Sequence, residues 1–144
     1  MILPDVNVLV YALRAGSPRH GEYAAWLSAL VTGADELALH DVALSGVIRV
    51  STNPRIMQRP SSPTAALDFV NWLRNAPRAH WIPSSAATWD VFGQLVAADP
   101  GIRGNVVPDA HLAAVALAHG ARLATADRGF ARFPGLRFFD PAAA

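Results

Sequence analysis

Three aspartates stand where short polar strings interrupt apolar runs. Asp5 lies in Pro4-Asp5-Val6-Asn7, Asp109 in Pro108-Asp109-Ala110-His111, and Asp127 in Thr125-Ala126-Asp127-Arg128-Gly129. Carboxylates gathered around one cleft bind a hard divalent ion such as Mg²⁺, which takes oxygen ligands and keeps several waters. Such an ion activates water and stabilises charge on a phosphodiester undergoing cleavage. Each aspartate taken singly also has a plainer reading. Asp5 suits a helix N-cap, Asp109 a first helical turn favoured by the helix dipole, and Asp127 a turn. Spacing alone does not choose between the two readings.

The remaining reactive residues narrow the chemistry. Without cysteine there is no disulfide framework and no thiolate nucleophile. The five histidines, at positions 20, 40, 80, 111 and 119, show no zinc-site spacing. His111 follows Asp109 by two residues on the same expected helix, so the two side chains diverge, and it reads as a packing residue. All twelve basic residues are arginine. The absence of lysine counts against phosphoaspartyl enzymes, which place one beside the transferring phosphoryl group. Between Val42 and Leu67 stand Arg49, Arg55 and Arg59 with no acid, a candidate phosphate-contacting edge. Arg49 suits a salt bridge to a site carboxylate equally well, and Arg128 sits beside Asp127. Trp26, Trp72, Trp81 and Trp89 read as core or interface residues rather than a base-stacking platform.

The elements that must position these residues follow from periodicity and breakers. Strands are expected at Ile2–Leu3, Leu37–Leu39, His80–Ile82, Arg122–Thr125 and Leu136–Phe139. Helices are expected over Val6–Leu13, Arg19–Val31, Val42–Val50, Pro63–Asn75, Ala86–Ala98 and from near Pro108 to Gly120, with a short helical turn in Asp127–Phe133. Alternating strands and helices imply an α/β fold, a twisted, mostly parallel sheet flanked by helices on both faces. Ligands in such folds gather beyond the carboxyl ends of the strands, where Asp5 and Asp127 fall.

The chain of 144 residues, 52% hydrophobic and 16% charged, fits one domain over residues 1–144 with a substantial core. Its longest uncharged stretches, Tyr23–Ala34 and Ala110–Ala121, are too short to span a membrane. The N-terminus lacks the pattern of a signal peptide, so a cytoplasmic protein is expected. A net charge of +1 does not by itself announce a nucleic-acid binder.

Four blocks together resemble the PIN domain and, within it, the VapC-type toxins of bacterial type II toxin–antitoxin systems. They are Asp5-Val6-Asn7-Val8-Leu9, the run from Leu44 to Ile56, the run from Asn105 to Ala114, and that from Thr125 to Phe133. The resemblance implies that Asp5, Asp109 and Asp127 are the metal-binding and catalytic acids. Asn7, Asn105 and Thr125 would be supporting polar residues, and Arg49, Arg55, Arg59 and Arg128 candidate RNA contacts. It implies an endoribonuclease dependent on Mg²⁺, with Mn²⁺ able to substitute. It further implies a homodimer neutralised by a VapB-like antitoxin whose C-terminal segment blocks the acidic cleft. One position departs from the pattern. Many PIN domains carry a glutamate three residues before the second block's arginine, whereas this chain has Gly46 before Arg49. A glutamate there is expected to leave the helix unharmed and, if the position faces the cleft, to tighten metal binding. The alternative is a catalytically inactive PIN-like module that binds RNA or protein.

Overall fold

Short apolar runs that each give way to a helix define the architecture. The computed structural model describes residues 1–143. In order, the elements are β1 (Ile2–Pro4), α1 (Val6–Leu13), α2 (His20–Thr32), β2 (Leu37–Leu39), α3 (Asp41–Ser51), α4 (Pro63–Arg74), β3 (Ala79–Trp81), α5 (Ala86–Ala98), α6 (Val106–His119), β4 (Arg122–Ala124), a 3-10 turn (Arg128–Arg132) and β5 (Phe138–Phe139). The sheet runs β3-β2-β1-β4-β5, and every pairing is parallel, with Ile2 beside both Leu37 and Arg122. The expected mostly parallel sheet is thus parallel throughout, as connections made by helical crossovers favour.

The period-two alternation of strand side chains divides the interior. Ile2, Leu37, Leu39 and Ala124 pack against α1 to α4 on one face. Leu3, Ala38 and Leu123 pack against α5, α6 and the 3-10 turn on the other. Strands buried on both faces read as continuous apolar runs, as these do.

Local chemistry sets the helix ends. Ser62 accepts from the Ala65 N–H, and Pro63 opens α4 where no N–H partner is needed. Ser85 and Thr88 form a reciprocal capping box at α5. Gly120 ends α6 at φ 64°, a left-handed conformation that glycine adopts without strain. Helix α6 begins at Val106, two residues before Pro108, which still falls in the first turn. Strand β5 is only two residues long, so Leu136 and Arg137 lie outside it.

Of the two expectations for the tryptophans, core or interface, the core one fails for three of the four. Trp81 is 51%, Trp89 58% and Trp72 42% exposed. Trp81 belongs to β3, an edge strand, and the other two sit on the outer sides of α4 and α5. Only Trp26 is half-buried, against the ring of Phe139.

Strand β1 lies between β2 and β4, and the chain leaves it toward β2 and later returns on the opposite side at β4. The carboxyl ends of β1 and β4 therefore flank the reversal of strand order, where open α/β sheets form their ligand crevice.

Candidate metal centre at the carboxyl edge of the sheet

Asp5 follows the last residue of β1 and caps α1, with Oδ1 accepting from the Val6 N–H at 2.7 Å. Its backbone N–H donates to the Ala124 carbonyl at 2.9 Å, tying the ends of β1 and β4 together. Oδ2 accepts from the Thr125 hydroxyl at 2.8 Å. That hydroxyl also accepts from Asn7 Nδ2 at 3.2 Å and from the Asp127 N–H at 3.1 Å. A threonine hydroxyl has one proton and two lone pairs, so all of its capacity is used and its proton must point to Asp5. Asn7 Oδ1 in turn accepts from the Ala126 N–H at 3.2 Å. The capping role of Asp5 and its place in the cleft are therefore compatible, because a carboxylate has lone pairs left after both bonds.

Asp127 caps the 3-10 turn, its Oδ1 accepting from the Gly129 N–H at 2.7 Å. A Cβ at position 129 would lie 2.9 Å from that oxygen, so glycine permits the close approach. Asp109 enters from the opposite side of the cleft, on the first turn of α6.

All three aspartates line one cleft of about 450 Å³, together with Asn7 and Arg49. Thr125 lies beneath it, 1% exposed. Burial is the largest influence on Asp109, followed by the charges of Asp5 and then Asp127, and together they push its pKa up to about 6. No hydrogen bond offsets those effects. Burial also raises Asp5, partly countered by the bonds from Thr125 and Val6, with Asp127 adding a smaller upward push. None of the ion pairs among the described residues involves the three aspartates. The cleft thus gathers three acids against one lining cation, Arg49, with which none of them forms an ion pair.

Such a donor set fits a hard divalent ion. Among the described residues no three His, Cys, Asp or Glu side chains stand close enough together to hold a metal ion as placed, so the three aspartates would have to draw in around an ion or reach it through its waters. An open acidic cleft of oxygen donors is what Mg²⁺ accepts, because it keeps much of its water.

Other expected residues fall elsewhere. Asn105 is exposed, makes no side-chain cap bond to α6 and is not in the cleft lining. Arg55 and Arg128 are exposed and outside the lining, and Arg59 lines a neighbouring hollow. His111 turns toward the rings of Trp89, His40 and Phe92, with centroids 5.5 to 5.9 Å away, in keeping with a packing role. Sequence reasoning misses the apolar wall of the cleft, made by Val10, Tyr11, Ile56 and Met57. Residues 53–62 have no periodicity from which their inward face could be read.

Gly46 requires a correction. It is buried, and a Cβ there would stand 2.6 Å from Cγ2 of Val6. The position faces α1 at close range, so a glutamate would have to displace Val6 and would not be harmless to the packing.

The chain is similar to known proteins over nearly its whole length. The PIN-domain family model matches residues 2–136, and the chain belongs to that family. The VapC ribonuclease Mb2897 of Mycobacterium bovis is 45% identical over 141 residues, covering 98% of this chain and 95% of the relative. Ribonuclease VapC37 of Mycobacterium tuberculosis is 34% identical over 144 residues, 99% of each chain. Among solved structures, VapBC2 from Rickettsia felis, bound to a DNA fragment from its promoter, superimposes with a TM-score of 0.69 at 25% identity, covering 97% of this chain and 98% of the other.

Proposed function

We propose that this chain is a divalent-metal-dependent endoribonuclease and the toxin of a VapBC-type pair. The observation that carries the reading is the meeting of Asp5, Asp109 and Asp127 in one cleft at the sheet's reversal point. Its full-length relatives named as VapC ribonucleases support RNA as the substrate.

Asp5, Asp109 and Asp127 would hold the ion, Mg²⁺ by preference with Mn²⁺ able to substitute. When bound, the ion supplies an activated water and charge stabilisation at the phosphodiester. Thr125 and Asn7 fix the Asp5 carboxylate, so little reorganisation is needed when substrate arrives. Arg49 provides a cation on the cleft wall for a phosphate oxygen. Asp109 must lose its proton before it can serve as a ligand, so protons compete with the ion there, and activity falls on acidification and is recovered in part by more Mg²⁺.

The Rickettsia relative was crystallised as a VapBC assembly on promoter DNA. By analogy this chain pairs with a VapB-like antitoxin that covers the acidic cleft, and it works as a homodimer. Incubation of the purified chain with total RNA, in Mg²⁺ and in EDTA, tests the reading. Cleavage in Mg²⁺ that EDTA abolishes is expected, whereas RNA binding without cleavage would favour the inactive PIN-like module.

A further inference from the structure

The groove does not end at the acids. A second hollow of about 400 Å³ adjoins the cleft and shares Val10, Tyr11, Ile56 and Met57 with it as a common wall. Arg14, just past α1, and Arg59, in the α3–α4 connection, complete it. Three acids line the cleft and none lines the hollow, so charge reverses along one continuous groove. The hollow is a built feature. Arg14 Nη1 donates to Ser61 Oγ at 2.8 Å and Nη2 to the Arg59 carbonyl at 2.6 Å, which clips the 53–62 segment against α1. Among the described residues neither Arg14 nor Arg59 forms a salt bridge.

We propose that this hollow is a phosphate subsite for the RNA backbone, holding a phosphate that flanks the scissile one. The proposal rests on the ribonuclease reading and adds to it a path for the strand. A polyanion entering a cleft of three carboxylates is repelled unless cations lie along its path. Arg14 and Arg59 supply that compensation beyond the acids, and the apolar wall between leaves room for sugar and base edges. Phosphate contacts of this kind set register and general affinity without reading sequence. Arg59 meets the phosphate directly. Arg14 acts chiefly as a positioning residue, because its guanidinium holds the wall.

Arg59→Ala is the informative variant, since the Arg59 side chain is exposed and only its backbone carbonyl takes part in the clip. Binding of fluorescent oligouridylate is followed by anisotropy across a salt series in an Asp109→Asn background, so that no cleavage intervenes. Cleavage is measured in parallel on the otherwise native chain. Losing one phosphate contact lowers the slope of log affinity against log salt by about 0.7 for a single strand. KM rises while kcat is unchanged, Arg59→Lys restores most of the binding, and Arg103→Ala, outside the groove, changes neither. Unaltered slope and KM in both Arg59→Ala and Arg59→Glu would overturn the subsite. So would unaltered RNA binding with loss of a co-expressed antitoxin, which would assign the hollow to a protein partner. If the native chain cleaves no RNA but the slope still falls in Arg59→Ala, the ribonuclease reading fails and the phosphate subsite stands.

Discussion

At the scale of single residues, the site is defined by carboxylates that repel one another and by the few groups that hold them in place. Asp109 illustrates the cost. Its folded pKa of about 6 lies above the ordinary carboxylate value, so the folded state favours the protonated form. The stability this contributes is full below about pH 4 and is lost as pH rises through 6. Asp109→Asn should therefore leave stability unchanged near pH 4 and raise it at pH 7 by about 1 kcal/mol, allowing for solvent screening of a partly exposed group. Denaturant melts of both proteins at the two pH values check the sign, and equal gains at both would contradict the electrostatic origin. Thr125 illustrates the support. Thr125→Val keeps the shape but leaves Asn7 Nδ2 and the Asp127 N–H without their acceptor and removes the donor to Asp5. The expected destabilisation is about 1–3 kcal/mol. The acid limb of the pH–rate profile should also move upward, because Asp5 loses a bond that lowers its pKa.

At the scale of elements, the close approach of α1 and α3 matters most, because both helices wall the cleft. Gly46 makes that approach possible, with the Val6 methyl where its Cβ would be. Gly46→Glu is expected to lower the thermal midpoint, by overpacking of about 1–3 kcal/mol that outweighs the gain of about 1 kcal/mol in helix propensity. Adding Val6→Ala should recover part of the loss, a coupling that a double-mutant cycle measures directly. A sequence contains the helix but not the direction of this glycine, which depends on how two helices cross. The same distinction runs through the fold. Helices α1 and α5 and strand β2 are legible to the residue, because their apolar period and their flanking breakers agree. Strand β5 has only two paired residues, and its extent depends on where β4 runs beside it. The exposure of Trp81 and Trp89 is equally invisible to periodicity, since it follows from β3 being an edge and α5 an outer helix.

At the scale of the whole molecule, the parallel sheet with its central reversal turns residues 5, 109 and 127 into neighbours around one cleft. The positions of Asp5 and Asp127 at strand ends can be anticipated from the apolar runs that precede them. The arrival of Asp109 cannot, because it depends on α6 packing across the opposite face of the sheet. If the cleft binds its ion as a unit, Mg²⁺ should raise the thermal midpoint of the native chain in proportion to the logarithm of its concentration above the dissociation constant. Asp5→Asn and Asp109→Asn should each flatten that response. A shift of equal size in the native chain and both variants would place the ion elsewhere.

The most direct test of the central claim is the cleavage rate of one defined structured RNA across a Mg²⁺ titration, for the native chain and for Asp109→Asn, with thermal midpoints recorded on the same samples. Saturable Mg²⁺-dependent cleavage is predicted for the native chain, together with loss of cleavage in a variant that is folded at least as stably. Cleavage by Asp109→Asn at the native rate, or native cleavage undiminished by EDTA, would contradict the assignment of this cleft as the catalytic metal centre.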